Sequence, residues 1–228
     1  MDTTTKERPI IFRGDGVLGI LEDRKTKTRR VIKPQPPVNC REWAGWVISS
    51  TSKSEVGDAT WTDVPGVLFN KDFHIKCPYG QPGDRLWVRE TWGLYNTEPK
   101  DGPEKAMIFY KASDGENHEL RYQLWRSPIF MPRWASRITL EIESVRVERL
   151  QEISTDDCID EGIEDEFCIV ANVPITKDLV ADIARDRFRE LWDSINAKSG
   201  YGWDTNCWVW VIGFKKLETA PRTDVLNY

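Results

Sequence analysis

Apolar positions along this chain fall into three patterns, and each predicts a different element. In "SRITLEIESVRVERL", residues 136–150, apolar and polar residues alternate, which predicts a long strand pair or one bent strand. In "TNCWVWVIGFKKLE", residues 205–218, both faces are apolar, the mark of a central strand covered on each side. Val180, Ile183, Ala184, Phe188, Leu191, Trp192 and Ile195 recur at helical spacing. They form the apolar stripe of a helix of about 20 residues that starts at Pro174 and Thr176 and ends near Asn196.

Shorter elements follow from local signals. "PIIF", residues 9–12, reads as a first strand, after which Asp15 can cap a helix carrying Val17, Leu18, Ile20 and Leu21. "KPQPP" stops regular structure at Pro34 to Pro37, and from there to about residue 80 the chain reads as irregular, with the polar patch "SSTSKSEVGDAT" as a surface loop. "PYGQPGDRLWVRETW" predicts a turn at Pro82-Gly83-Asp84 and a strand from Arg85 to about Thr91. A loop, "YNTEPKDGPEK", precedes a strand at "AMIFYKA", and two prolines bend the aromatic-rich "WRSPIFMPRW". "ISTDDCIDEGI" predicts a short helix: Ser154 is the N-cap with Asp157 three residues on, Ile153 and Cys158 form the staple, and Gly162 closes it. Helix and sheet are segregated rather than alternating, which predicts an α+β fold with an antiparallel barrel or a strongly curved sheet.

Composition narrows the class. At 228 residues and 39% hydrophobic the chain can bury a core as one domain, or as one domain with large insertions. No apolar run approaches the roughly 18 residues of a membrane span, and the start, "MDTTTKERPIIF", lacks the features of a signal peptide. Five cysteines without framework spacing point to a reducing cytoplasm. Eleven tryptophans are unusual; most read as core or interface fillers, with one or two as platforms for stacking a base.

Charge adds the sharpest feature. The formal net charge is -5, which argues against a general nucleic-acid coat, yet "DRKTKTRRVIK" places six cations between Arg24 and Lys33. A solvated turn is the plain reading of such a run; a site for an anionic ligand is the alternative. If helical geometry persists, Lys25, Thr28 and Arg29 share a face; if the chain extends, Lys25, Lys27 and Arg29 do. A lysine among cations has a depressed pKa and can act as a base on a neighbouring hydroxyl or water. Glu161, three residues after Cys158, lies on the inward side of its short helix, either as a proton donor or in a salt bridge. His74-x-x-Cys77 with a distant Cys40 falls short of the four regularly spaced ligands of a structural zinc site, so neither a metal nor another cofactor is expected. No GxSxG, P-loop or Rossmann glycine pattern is present, and two histidines leave little room for a histidine-based triad.

Four blocks, "GILEDRKTKTRRVIKPQP", "CPYGQPGDRLWVRETW", "MPRWASRITLEIESVRVERLQEISTDDCIDEGI" and "FRELWDSINAKSGYGWDTNCWVWVIGFKKLE", together resemble the ASCH-domain proteins of phages and prophages. The likeness covers about half the chain, in order from end to end. It implies membership of the PUA-like superfamily: a small antiparallel β-barrel with flanking helices, here one domain over residues 1–218 with insertions near 37–80 and 93–133 and a flexible tail at 219–228. It further implies a cleft beside the barrel suited to RNA or a modified nucleoside or nucleotide. In small ASCH enzymes that hydrolyse N4-acetylcytidine, a K-T-x-T motif carries the catalytic lysine and threonine; here "KTKT" places them at Lys25 and Thr28, and the family's glutamate falls at Glu161.

The resemblance thus implies an amidohydrolase in which Lys25 activates Thr28 or a water and Glu161 protonates the departing amine. Arg29 and Arg30, with Arg133 or Arg137, would hold a phosphate, and Trp87, between Arg85 and Arg89, would stack on the base or fill the core. The chain is roughly twice the length of the small hydrolases, its motif runs into "RR", and Asp160 adds an acid beside Glu161. Two other functions stay open: a binding module for RNA or a modified base without chemistry (or an RNA-cleaving relative), and an accessory protein that meets a protein partner through the aromatics of its insertions.

Overall fold

The computed structural model describes residues 5–37, 42–48, 50, 55–62, 73–94, 108–115, 124–163 and 176–217. The fold is mixed α+β and mostly sheet. Its strands are β1 (Glu7–Ile11), β2 (Lys27–Val31), β3 (Glu42–Trp46), β4 (Ala59–Thr62), β5 (Phe73–Ile75), β6 (Arg85–Arg89), β7 (Trp92–Leu94), β8 (Ile108–Tyr110), β9 (Thr139–Arg149) and β10 (Trp208–Leu217). The helices are α1 (Gly14–Leu21), α2 (Lys111–Asp114), α3 (Thr155–Asp160) and α4 (Lys177–Asn196).

β10 explains the doubly apolar run. It lies inside a five-stranded sheet of order β1-β6-β9-β10-β2. Trp208, Trp210, Ile212 and Phe214 enter one core with Ile10, Leu86 and Ile142. Val209 and Val211 enter the other, against Phe188 and Trp192 of α4. Period-two alternation on a strand covered on both sides therefore makes every residue apolar. β9 is one continuous strand of 11 residues rather than a pair. It bends at Glu143, which is skipped in the pairing with β10, where Gly213 faces Ser144 and Phe214 faces Ile142.

Three expectations need correction. The expected antiparallel barrel is not closed among the described residues: the sheet is open and β1 pairs β6 in parallel. Its two edge strands meet through a side chain instead, Arg30 of β2 donating from Nη2 to the Ile11 carbonyl of β1 at 2.7 Å. The stretch expected to be irregular up to residue 80 contains an antiparallel sheet, β3-β4-β5. Its tryptophans supply the driving force that the surrounding polar residues conceal: Trp61 packs edge-on against Trp208 at 5.8 Å, and Trp46 stacks on Trp210 at 6.0 Å. Asp15 does not cap α1, because that helix begins one residue earlier, after Arg13, with no side-chain cap; Asp15 sits in the first turn, where its charge favours the helix dipole.

Other local signals hold. Ser154 accepts the Asp157 N–H at 3.1 Å and starts α3, and Thr176 accepts the Leu179 N–H at 3.2 Å and starts α4. Pro82 and Gly83 form the middle of a turn closed by the Asp84 N–H on the Gln81 carbonyl. The strand expected at 106–112 is shorter, ending at Tyr110 where α2 begins. The tail at 219–228, Pro174, and the loop at 95–105 lie outside the described residues. No described helix is long and apolar enough to cross a membrane.

Candidate active site: a buried lysine–glutamate pair

After α1 the chain reverses. The N–H groups of Arg24 and Lys25 both bond the Gly19 carbonyl at 2.9 Å, and Thr26 then reaches across to the Asp160 carbonyl at 2.8 Å. Lys25 and Glu161 pair as an isolated antiparallel bridge, which joins the start of β2 to the end of α3. This close approach requires glycines. A Cβ on Gly19 or on Gly162 would lie 3.2 Å from the Lys25 Cβ, and Gly162 has φ +86°, a conformation that also favours glycine.

The lysine side chain ends on Glu161. Its Nζ donates to Glu161 Oε2 at 2.6 Å and to the Glu161 carbonyl at 2.6 Å, and both residues are 6% exposed. Burial holds the Lys25 amine below its ordinary pKa, against the pull of Glu161; Arg30 and Arg29 push the same way as burial. The other carboxylate oxygen, Oε1, is buried without a hydrogen bond, and Arg29 Nη1, also unpartnered, stands 3.6 Å away. A buried acceptor left unpaired costs about 1–3 kcal/mol, so Oε1 is a natural place for a ligand's donor.

Neither alternative for the lysine motif describes it fully. From Lys27 the chain is a strand, so Lys27 and Arg29 share one face and Thr28 and Arg30 the other. Thr28 pairs with Ile212 in the sheet and is buried, and its side-chain hydroxyl makes no hydrogen bond among the described residues. Lys25 swings round to the Thr28 side: its Nζ lies 6.0 Å from the Phe12 ring, and the Arg30 guanidinium covers the same ring at 4.9 Å.

Most of the six cations are answered internally. Arg24 pairs with Glu22, and Lys27 bridges Asp157 at 2.6 Å and Asp160 at 2.7 Å. Arg29, expected to hold a phosphate, has a fully buried side chain that binds Asp157 at 2.5 Å and Glu148 at 3.0 Å. Arg146 adds to both acids at 2.9 Å. Burial works to raise the Asp157 carboxyl, but hydrogen bonds and charge from Lys27 and Arg29 prevail and hold it down at about 2. The signal for this network was present as an acidic run, "TDDCIDE", that complements "RKTKTRR". Arg30 is different: among the described residues it makes no ion pair, and its buried Nε has no acceptor.

The remaining expected residues lie elsewhere. Trp87 is on the opposite face of β6 from the core residues Leu86 and Val88, and Arg89 covers its ring at 4.6 Å. Arg133 binds Glu7 at the far end of β1 at 3.0 Å and Thr139 at 3.1 Å. Arg137 makes two parallel bonds to Glu90, each 2.9 Å, beneath which Tyr110 stacks at 4.0 Å. Thus the structure gathers Lys25, Glu161, Arg29 and Arg30, sets Thr28 on the adjoining strand, and leaves Trp87, Arg133 and Arg137 apart. His74 meets Thr60 at 3.4 Å, Cys77 is buried, Cys40 and His118 lie outside the described residues, and no group of three metal-ligating side chains occurs among those described.

No protein-family model, curated protein or solved structure matches the chain.

Proposed function

We propose that the Lys25–Glu161 pocket hydrolyses the amide of an N4-acylated cytidine or a related modified nucleoside, as the ASCH-type motifs imply. The observation that carries this reading is the buried contact itself: an amine of lowered pKa lies 2.6 Å from one oxygen of a carboxylate whose other oxygen is unpartnered. Transfer of the Lys25 proton across the 2.6 Å contact to Glu161 Oε2 gives the neutral tautomer, amine and acid, from which the reaction starts. In that tautomer the Lys25 amine takes the proton of Thr28 or of a water as the oxygen attacks the acyl carbonyl. Glu161 gives its proton to the cytosine N4 as the C–N bond breaks. The pair is then lysine ammonium and glutamate carboxylate, and transfer of one proton across the contact restores it. If Thr28 is the attacking group, a water completes the cycle by the same proton route.

The fold fits this assignment. Arg30 joins the two edge strands of the open sheet, which brings it toward a PUA-like arrangement without closing a barrel, and three buried free cysteines, Cys77, Cys158 and Cys207, suit a reducing cytoplasm. A second reading, binding of RNA or a modified base without chemistry, is favoured by one feature. Lys25 already donates to two Glu161 oxygens, as a purely structural pair would.

Incubation with free N4-acetylcytidine and chromatography of the products separates the two. The first reading expects cytidine and acetate from the wild type, with a loss of at least about 100-fold in Lys25→Ala, the lower range for a general base. Binding of the nucleoside without turnover would move the assignment to the second.

A further inference from the structure

Beyond the pocket, a rim of unpaired arginines and exposed apolar side chains leads away from it along the ends of β1 and β6. Arg30 bonds the Ile11 carbonyl, and Ile11, itself exposed, is the register partner of Arg89. Arg89 donates to the Ile129 carbonyl at 3.2 Å. Ile129 and Phe130 stand out at 58% and 75% exposed, and Arg126 lies on the same short segment. Among the described residues Arg30, Arg89 and Arg126 form no ion pair, whereas Arg29, Arg133 and Arg137 all do. Each of the three unpaired guanidiniums is braced on an aromatic ring: Arg30 on Phe12 at 4.9 Å, Arg89 on Trp87 at 4.6 Å and Arg126 on Trp92 at 5.2 Å.

Unpaired cations held in fixed positions beside a free aromatic face are what a single-stranded nucleic acid needs, phosphates for the first and a base for the second. A protein with an acidic surface would satisfy the arginines but make no particular use of the Phe130 ring, 75% exposed beside them. We infer that this rim binds single-stranded RNA, with Phe130 stacking a base and Arg89 and Arg126 meeting phosphates, so that the pocket can receive a nucleotide within a strand as well as a free nucleoside. The binding surface stands on its own observations; only the placing of the reacting nucleotide in the pocket, and the choice of RNA over DNA, rest on the proposed function.

The test uses the full chain and a labelled RNA single strand of about 12 nucleotides, a length within the range such surfaces cover. Affinity is measured across salt concentrations for the wild type, Phe130→Ala and Arg126→Gln, both exposed positions. The expected result is a loss of at least about fivefold for Phe130→Ala with the salt slope kept. For Arg126→Gln the slope should fall by about one. Both variants should hydrolyse free N4-acetylcytidine as the wild type does. Equal binding by all three proteins, or no binding, overturns the rim. Equal affinity for a DNA strand of the same sequence overturns the assignment to RNA. Rim binding without nucleoside turnover leaves the rim standing and removes the hydrolase reading; turnover without RNA binding does the reverse.

Discussion

Lys25 and Glu161 are 136 residues apart, and their contact depends on neighbours that cannot carry a side chain. Gly19 and Gly162 flank the Lys25 stem, so the amine is delivered to one place instead of sampling solvent. Its chemistry is then set by burial. In the proposed mechanism the working pair holds one proton, and the Lys25 pKa is lowered, so turnover should fall as pH rises through a value below that of an ordinary lysine, where that proton is lost. Lys25→Arg keeps the charge but cannot deprotonate. It should lose turnover by at least about 100-fold and lose that falling limb, while a charge-only role would leave activity nearly intact. The profile of kcat/KM against pH for the two proteins decides between them. At this scale the sequence disclosed the motif residues, yet not that Arg29 is buried away from any ligand, because period-two alternation assigns a face without saying what covers it.

At the scale of elements, α3 is fastened to β2 and β9 by a clamp in which Asp157 receives Lys27, Arg29 and Arg146. The clamp keeps Glu161, the C-cap residue of α3, in register with Lys25. Asp157→Asn should cost about 3 kcal/mol at neutral pH, as breaking a buried pair does. The carboxyl is held below its ordinary value, so the stability it contributes is present above about pH 4 and is lost as pH falls toward about 2. Urea midpoints measured over that interval should therefore fall steeply in the wild type and less steeply in the variant. Capping signals made α3 and α4 readable from sequence. The strands β3 to β5 were not, since each is three to five residues long and gains its stability from tryptophan contacts made elsewhere.

The whole molecule is unified by those contacts. Trp61 is completely buried and meets Trp208 of the main sheet, so the small sheet and the large one share a core. Trp61→Ala should remove about 3–5 kcal/mol, the usual cost of truncating a buried aromatic. Denaturation followed by fluorescence and by circular dichroism should still give one coincident transition, at lower denaturant; two separate transitions would mean that the small sheet folds independently. Curvature works at the same scale, because the bend in β9 and the bridge from Arg30 to Ile11 bring the edges of the large sheet together beside the pocket.

By itself the sequence determined the α+β class, the central position of β10, the capped starts of α3 and α4, and the concentration of cations before and within β2. These are local or periodic properties, fixed by spacing along the chain. Tertiary structure alone decided which cations remain unpaired, that Glu161 meets Lys25 rather than solvent, and that tryptophans draw an apparently irregular stretch into a sheet. The deciding contacts, Lys25 with Glu161, Arg29 with Asp157 and Trp61 with Trp208, join residues more than 100 positions apart, and pairing across such distances is settled by the packing of whole faces and the neutralisation of buried charge, neither of which a local pattern records.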